Sequence, residues 1–257
     1  MLMHARLFLV ILLVASLSQL RAEDESLTPD EYTRVGMPEC DHEWTAENIT
    51  NAAKMFPRFS AKKQLPRFKS DRSGPLFERI VSVQNFAFVS DKGQSPDARF
   101  KPAVKYYSAS TDIVKVYQDS FSKGDVRDTE MIELLGMQLR LTVALQNLTD
   151  ELIVTLDKQD PAYPVRIQNL GKIREYVLSI ISATTQALAQ RDAYRAEELA
   201  KLIGFMKETF PKLVTALQPE NKTTVVNNLT QMQKGRKFKD LQPGFDEFVN
   251  ITRDATK

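Results

Sequence analysis

Residues 199–217 read LAKLIGFMKETFPKLVTAL, and their apolar positions decide the fold class. Leu199, Ile203, Met206, Phe210, Leu213 and Leu217 follow one another at spacings of four, three, four, three and four. That period places all six on one face of a helix with 3.6 residues per turn. Working back along the chain, Leu170, Ile173, Val177, Ile180, Thr184 and Leu188 mark a second stripe. Leu134, Leu141, Leu145, Leu148, Leu152 and Leu156 mark a third, which ends before Asp160-Pro161. Val104, Tyr107, Val114, Tyr117 and Phe121 mark a fourth, ending at Gly124. The joint at Gln190 to Asp192 has neither Gly nor Pro, and Leu188 and Leu199 stay in phase across it. One long helix or two is compatible with that spacing, and a turn is the favoured reading.

Helices of ~25 to 30 residues rise ~40 Å, and short links make neighbours antiparallel. The expectation for residues 100–257 is an all-α, antiparallel bundle of about four long helices. Two short helices after Pro219 and Pro243 cap it, presenting Val225, Val226, Leu229 and Met232, then Phe245, Phe248 and Val249. Gly136, Gly171 and Gly204 sit inside helical segments at ~1 kcal/mol each relative to Ala, and close helix contact is the expected reason. No tandem repeat is visible.

Residues 45–99 read as short helices and loops packing on the bundle. Thr45 is a competent N-cap for a helix from Ala46 to Phe56, and residues 57–74 carry loop chemistry. Pro75 suits the first turn of a helix from Leu76 to Ser82, with Ser73 as its N-cap. Val83 to Val89 fits a short strand or a buried connection, and Asp91 to Asp97 a turn. Residues 23–44 form an acidic segment without apolar period, expected to be mobile. Together these make the irregular N-terminal part of the chain.

Residues 1–22, MLMHARLFLVILLVASLSQLRA, place Arg6 before an apolar run from Leu7 to Leu17 and end on Ala22 ahead of Glu23, Asp24 and Glu25. This is the order of a secretory signal peptide. A run of about 11 residues is short of the ~20 that span a bilayer, and no transmembrane segment follows. The expected location is extracytoplasmic, periplasmic or secreted, after cleavage near Ala22. Of the 35 basic residues the leader holds Arg6 and Arg21 and no acid, leaving 33 against 33 in residues 23–257.

The chain is 42% hydrophobic and 26% charged, which fits a folded globular protein. Its nine glycines argue against sandwiches, Rossmann folds and phosphate loops. Cys40 is the only cysteine, so no intramolecular disulfide forms and stability rests on packing. Five of nine asparagines (Asn48, Asn147, Asn221, Asn228 and Asn250) begin an Asn-x-Thr triplet, where chance gives ~1. The triplets are either acceptors for glycans in a eukaryotic secretory host or the ordinary enrichment of Asn and Thr at helix ends and polar faces.

Reactive chemistry is sparse. His42 is the only histidine after the leader, in Glu39-Cys40-Asp41-His42-Glu43. Cys40 and His42 lie two apart and carboxylates adjoin them, but a tetrahedral structural site wants four ligands. The reading is no metal and no cofactor, with the motif as an exposed linker; a hydrolase or metal-dependent enzyme centred on His42 is the alternative. Pairs such as Glu197 and Glu198, or Asp150 and Glu151, read as solvated faces.

The most uneven charge runs from Lys54 to Arg72, where Lys54, Arg58, Lys62, Lys63, Arg67, Lys69 and Arg72 face only Asp71, with Phe56, Phe59 and Phe68 interleaved. A second basic knot, Lys234, Arg236, Lys237 and Lys239, surrounds Phe238. Cations beside aromatics suit phosphate-rich partners, and the candidate anion-binding residues are Arg58, Lys62, Arg67, Arg72 and Ser73. Against this stands a solvated surface whose phenylalanines point into the core. The functional expectation is a non-enzymatic helical module that binds an unknown protein or an anionic envelope component, not nucleic acid. A carrier of anionic lipid or apolar ligand between the helices is a further alternative.

Overall fold

The computed structural model describes residues 25–159 and 163–256, so the leader at 1–22 and the turn at Asp160-Pro161 lie outside the described residues. Among the described residues there are nine α-helices and no strand, an all-α helical bundle. The helices are α1 (Pro29–Arg34), α2 (Ala46–Ala61), α3 (Gly74–Val81), α4 (Pro96–Ser122), α5 (Asp128–Thr155), α6 (Tyr163–Ala189), α7 (Ala196–Thr215), α8 (Pro219–Lys234) and α9 (Gln242–Asp254). The break after α6 is a real turn, with a short 3₁₀ piece at Arg191–Ala193. Pro219 and Pro243 each sit in the first turn of their helix, where the missing N–H costs nothing.

Packing runs α2 on α4, α4 on α5, α5 on α7 and α6, α7 on α9, and α9 on α8. The centre of this order is α5, which is buried on two sides. Leu134, Leu141, Leu145 and Leu148 belong to one apolar cluster with Trp44, Phe56, Phe77, Tyr106 and Tyr117. Ile132, Leu135 and Leu139 belong to a second, with Val177, Leu188, Leu202, Met206, Phe210, Phe245 and Phe248. A helix apolar on most of its circumference is an interior helix rather than a surface one.

The N-terminal segment departs from the sequence expectation. Instead of a mobile tail, Pro29–Arg34 is a helix started by a capping box: Thr28 N donates to Glu31 Oε2 at 2.8 Å and Glu31 N to Thr28 Oγ1 at 3.4 Å. Tyr32 is fully buried, edge-on to Phe59 at 5.0 Å, and its hydroxyl donates to the Gln64 carbonyl. Gly36 takes a φ of 101° so that Gly36 and Met37 can return hydrogen bonds to Thr33 and Tyr32. The buried apolar groups are Tyr32, Met37 and Trp44, too far apart to make a period.

Three local expectations are corrected. Thr45 caps α2 as expected, but the helix runs through Pro57 to Ala61, because Pro57 lies on its exposed side while Phe56 and Phe59 stay buried. Of the two readings for Val83 to Val89 the strand is overturned: Val83–Ser90 is a 3₁₀ connection that buries Asn85, Phe86 and Val89. Ser73 makes no side-chain cap on α3. Its hydroxyl donates to Ser26 Oγ at 2.8 Å and accepts from Arg67 N at 2.9 Å, pinning the loop before the helix.

Candidate functional site

The basic stretch of residues 54–72 is divided by the fold into two sets. Lys54 and Arg58 on α2 and Lys62 at its C-cap recur every four residues and are exposed. No carboxylate pairs with any of the three among the described residues; Lys54 Nζ reaches only Asn51 Oδ1, at 3.5 Å. The others are held internally. Lys63 pairs with Asp125 at 3.2 Å, Arg72 with Glu31 at 3.6 Å, and half-buried Arg67 donates to the Asp125 carbonyl. Of the five residues singled out from sequence, the structure brings Arg58 and Lys62 onto one open stripe. Arg67, Arg72 and fully buried Ser73 lie instead in the contacts that fix the loop.

The phenylalanines follow the same logic. Phe56 and Phe59 turn inward, so the stripe presents charge without a ring to stack or insert. Half-buried Phe68 carries Lys69 Nζ at 5.3 Å and Lys201 Nζ at 5.6 Å from its centroid. In the second basic knot Phe238 is also buried, stacked on Phe245 at 4.0 Å.

Beside Phe68 opens a cleft of about 350 Å³ lined by Lys69, Arg127, Glu130, Arg195, Glu198 and Lys201 among others. Sequence reading missed it, having placed Glu198 on a solvated face. Glu198 is only 3% exposed; it accepts from Thr129 Oγ1 at 3.1 Å, and its other oxygen lies 3.2 Å from Lys201 Nζ without a well-directed hydrogen bond. Buried Glu130 accepts from Phe68 N at 2.9 Å and Arg127 N at 2.8 Å. Burial pushes its carboxyl above the usual range, against the pull of Arg67 and those N–H groups. Within the cleft Arg195 pairs with Glu197 and Glu198, and Lys201 with Glu198, so much of its charge is engaged within the protein.

At the Cys40–His42 motif, ligand atoms of Glu39, Asp41 and His42 fall within 4.8 Å of one another, all exposed. His42 Nδ1 and Asp41 Oδ1 are 2.7 Å apart, and that hydrogen bond holds the Asp41 carboxyl below its usual value. Cys40 is not part of the group. It packs half-buried against the core, and burial pushes its thiol up, away from the thiolate that metal binding or nucleophilic attack requires. A further recess of about 430 Å³ lies between α5, α6 and the end of α7. Gln146, Asp150, Arg174, Lys212 and Gln218 make much of its wall polar, unlike the apolar pocket a lipid tail needs.

No protein-family model, no curated protein and no solved structure matches the chain.

Proposed function

We propose that the protein is an exported, non-catalytic binding module that docks on an anionic surface through Lys54, Arg58 and Lys62. The observation that carries this reading is that these three cations, two on α2 and the third at its C-terminal end, spread over ~12 Å, have no carboxylate partner among the described residues. Neighbouring cations of the same stretch are all engaged by the protein itself. An array of unpaired like charges costs self-repulsion, which an anionic partner relieves. The inward-turned phenylalanines make the docking electrostatic and superficial, without insertion into a lipid layer.

Vesicles containing an anionic lipid test the reading. Full-length protein is expected to co-sediment with them at low ionic strength and to release at physiological salt, where exposed charges are screened within ~8 Å. The variant Lys54→Glu, Arg58→Glu, Lys62→Glu is expected to lose binding with an unchanged melting temperature. Retained binding by that variant would remove the stripe from the function. Arg67 is left out because its contact with Asp125 holds the loop.

A further inference from the structure

We propose that Asn147, Asn228 and Asn250 carry N-linked oligosaccharides, attached before the chain folds. Five of the nine asparagines open an Asn-x-Thr triplet, against ~1 by chance, and all five lie in helices. Asn and Thr are both poor helix formers, so each triplet needs a reason to sit there. At Asn48 the fold provides one: its Oδ1 accepts from Thr45 N at 3.0 Å and Thr45 Oγ1 at 2.8 Å, closing the capping box of α2. Asn221 is half-buried in the first turn of α8.

Asn147 and Asn228 have no such reason. Both are exposed in helix interiors, and neither side chain forms a hydrogen bond among the described residues. Asn250 is exposed on α9; its Oδ1 accepts from Arg253 Nη2 at 2.7 Å, which leaves Nδ2 open. A bulky sugar at these positions displaces no packed side chain. Two of the three are on α8 and α9, at the far end of the packing order from α2, so a glycan there leaves Lys54, Arg58 and Lys62 uncovered.

The timing follows from the threonines. Thr149 Oγ1 donates to the Leu145 carbonyl at 2.8 Å and Thr252 Oγ1 to the Phe248 carbonyl at 2.9 Å, at 3% and 0% exposure. An enzyme that selects Asn-x-Thr must reach the third residue, and for Asn147 and Asn250 in the folded helices it cannot. Transfer therefore acts on the unfolded chain during export. Asn Nδ2 attacks the anomeric carbon of a polyisoprenyl-diphosphate oligosaccharide; the C–N bond forms, the C–O bond to the diphosphate breaks, and the amide loses one proton. The inference rests on export through the leader at 1–22, not on the basic stripe.

Protein recovered from the extracytoplasmic fraction of its own source is digested with peptide-N-glycosidase in heavy-oxygen water and mapped by mass spectrometry. The expected result is labelled aspartate at positions 147, 228 and 250, with a collapse of gel mobility to that of the bare chain. Unlabelled asparagine at all three overturns the proposal. In a second arm the chain is translated in the presence of microsomes, where Asn147→Gln, Asn228→Gln and Asn250→Gln should each remove one mobility step. Folded, unmodified protein added afterwards should stay unmodified at Asn147 and Asn250; modification at either would overturn the timing.

Discussion

Arg195 closes on Asp128 across the interface of α5 and α7. Its backbone N–H donates to Oδ2 at 2.7 Å, and its Nε lies 3.0 and 3.1 Å from the two carboxylate oxygens. The start of α7 has no side-chain cap of its own, so a carboxylate from α5 supplies negative charge at that helix end. Asp128→Ala is expected to cost about 1–3 kcal/mol in urea denaturation, because it strands donors in a mostly buried place. Asp128→Asn, which keeps an acceptor for the Arg195 N–H, should cost less.

Two helix glycines are expected to respond oppositely to alanine. A Cβ at Gly136 would come within 2.4 Å of the Phe205 ring, which must then move off the Arg140 guanidinium it stacks with. Overpacking of this kind costs about 1–3 kcal/mol. A Cβ at Gly204 meets nothing within 4 Å, so Gly204→Ala should gain up to ~1 kcal/mol from helix propensity. Thermal melting of the two variants separates the cases. Gly171 also faces open space, so close contact explains only Gly136 of the three helix glycines.

The outer long helices are legible because each exposes one side and buries another, which writes a period such as that of Leu199 to Leu217. For α5 the stripe of Leu134, Leu141, Leu145 and Leu148 was correct but half the story. Ile132, Leu135 and Leu139 bury a second side, which a search for a single face passes over. The packed N-terminal segment was not legible, since Tyr32 and Met37 bury against residues from distant parts of the chain. The candidate site was legible as a surplus of charge but not in its division. What separates Arg58 from Arg67 and Arg72 is the place of Asp125 and Glu31, 58 positions away for Arg67 and invisible to local pattern.

Arg99 and Glu151 form an unequal pair. The Arg99 side chain is buried, with Nη1 on the Val89 carbonyl at 2.6 Å and Nη2 on Glu151 Oε2 at 2.7 Å, whereas Glu151 reaches solvent and also Lys92. Glu151→Gln leaves a buried guanidinium without its counter-charge; Arg99→Met leaves a carboxylate that water can solvate. The first is expected to lower the urea midpoint more than the second at neutral pH. Hydrogen bonds from Lys92 and Arg99 hold the Glu151 carboxyl below its usual 4.5. Its contribution is therefore present above 4.5 and lost as pH falls through the lower folded value. Glu151→Gln should flatten this part of the acid limb, and an unchanged limb would refute the assignment.

The cluster at Glu39, Asp41 and His42 is expected to leave the fold untouched when altered. His42 and Asp41 side chains are 56% and 79% exposed, and a folding role for metal would couple its removal to melting. Melting with and without a chelator should superimpose, and Cys40→Ser with His42→Ala should melt within a few degrees of the parent. A large drop on chelation, together with stoichiometric zinc in fresh protein, would instead support the reading centred on His42.

Because α5 is shared by both apolar clusters, exposing it fully requires both halves of the molecule to open. Detaching α8 and α9, or the segment around Tyr32, still leaves α5 covered on its opposite side. The central backbone amides of α5 are consequently expected to exchange with solvent deuterium only through global unfolding, so that their protection reports the global unfolding free energy. The described helices are thus expected to unfold as one cooperative unit hung on a single interior rod, with the outermost helices as its fraying edges.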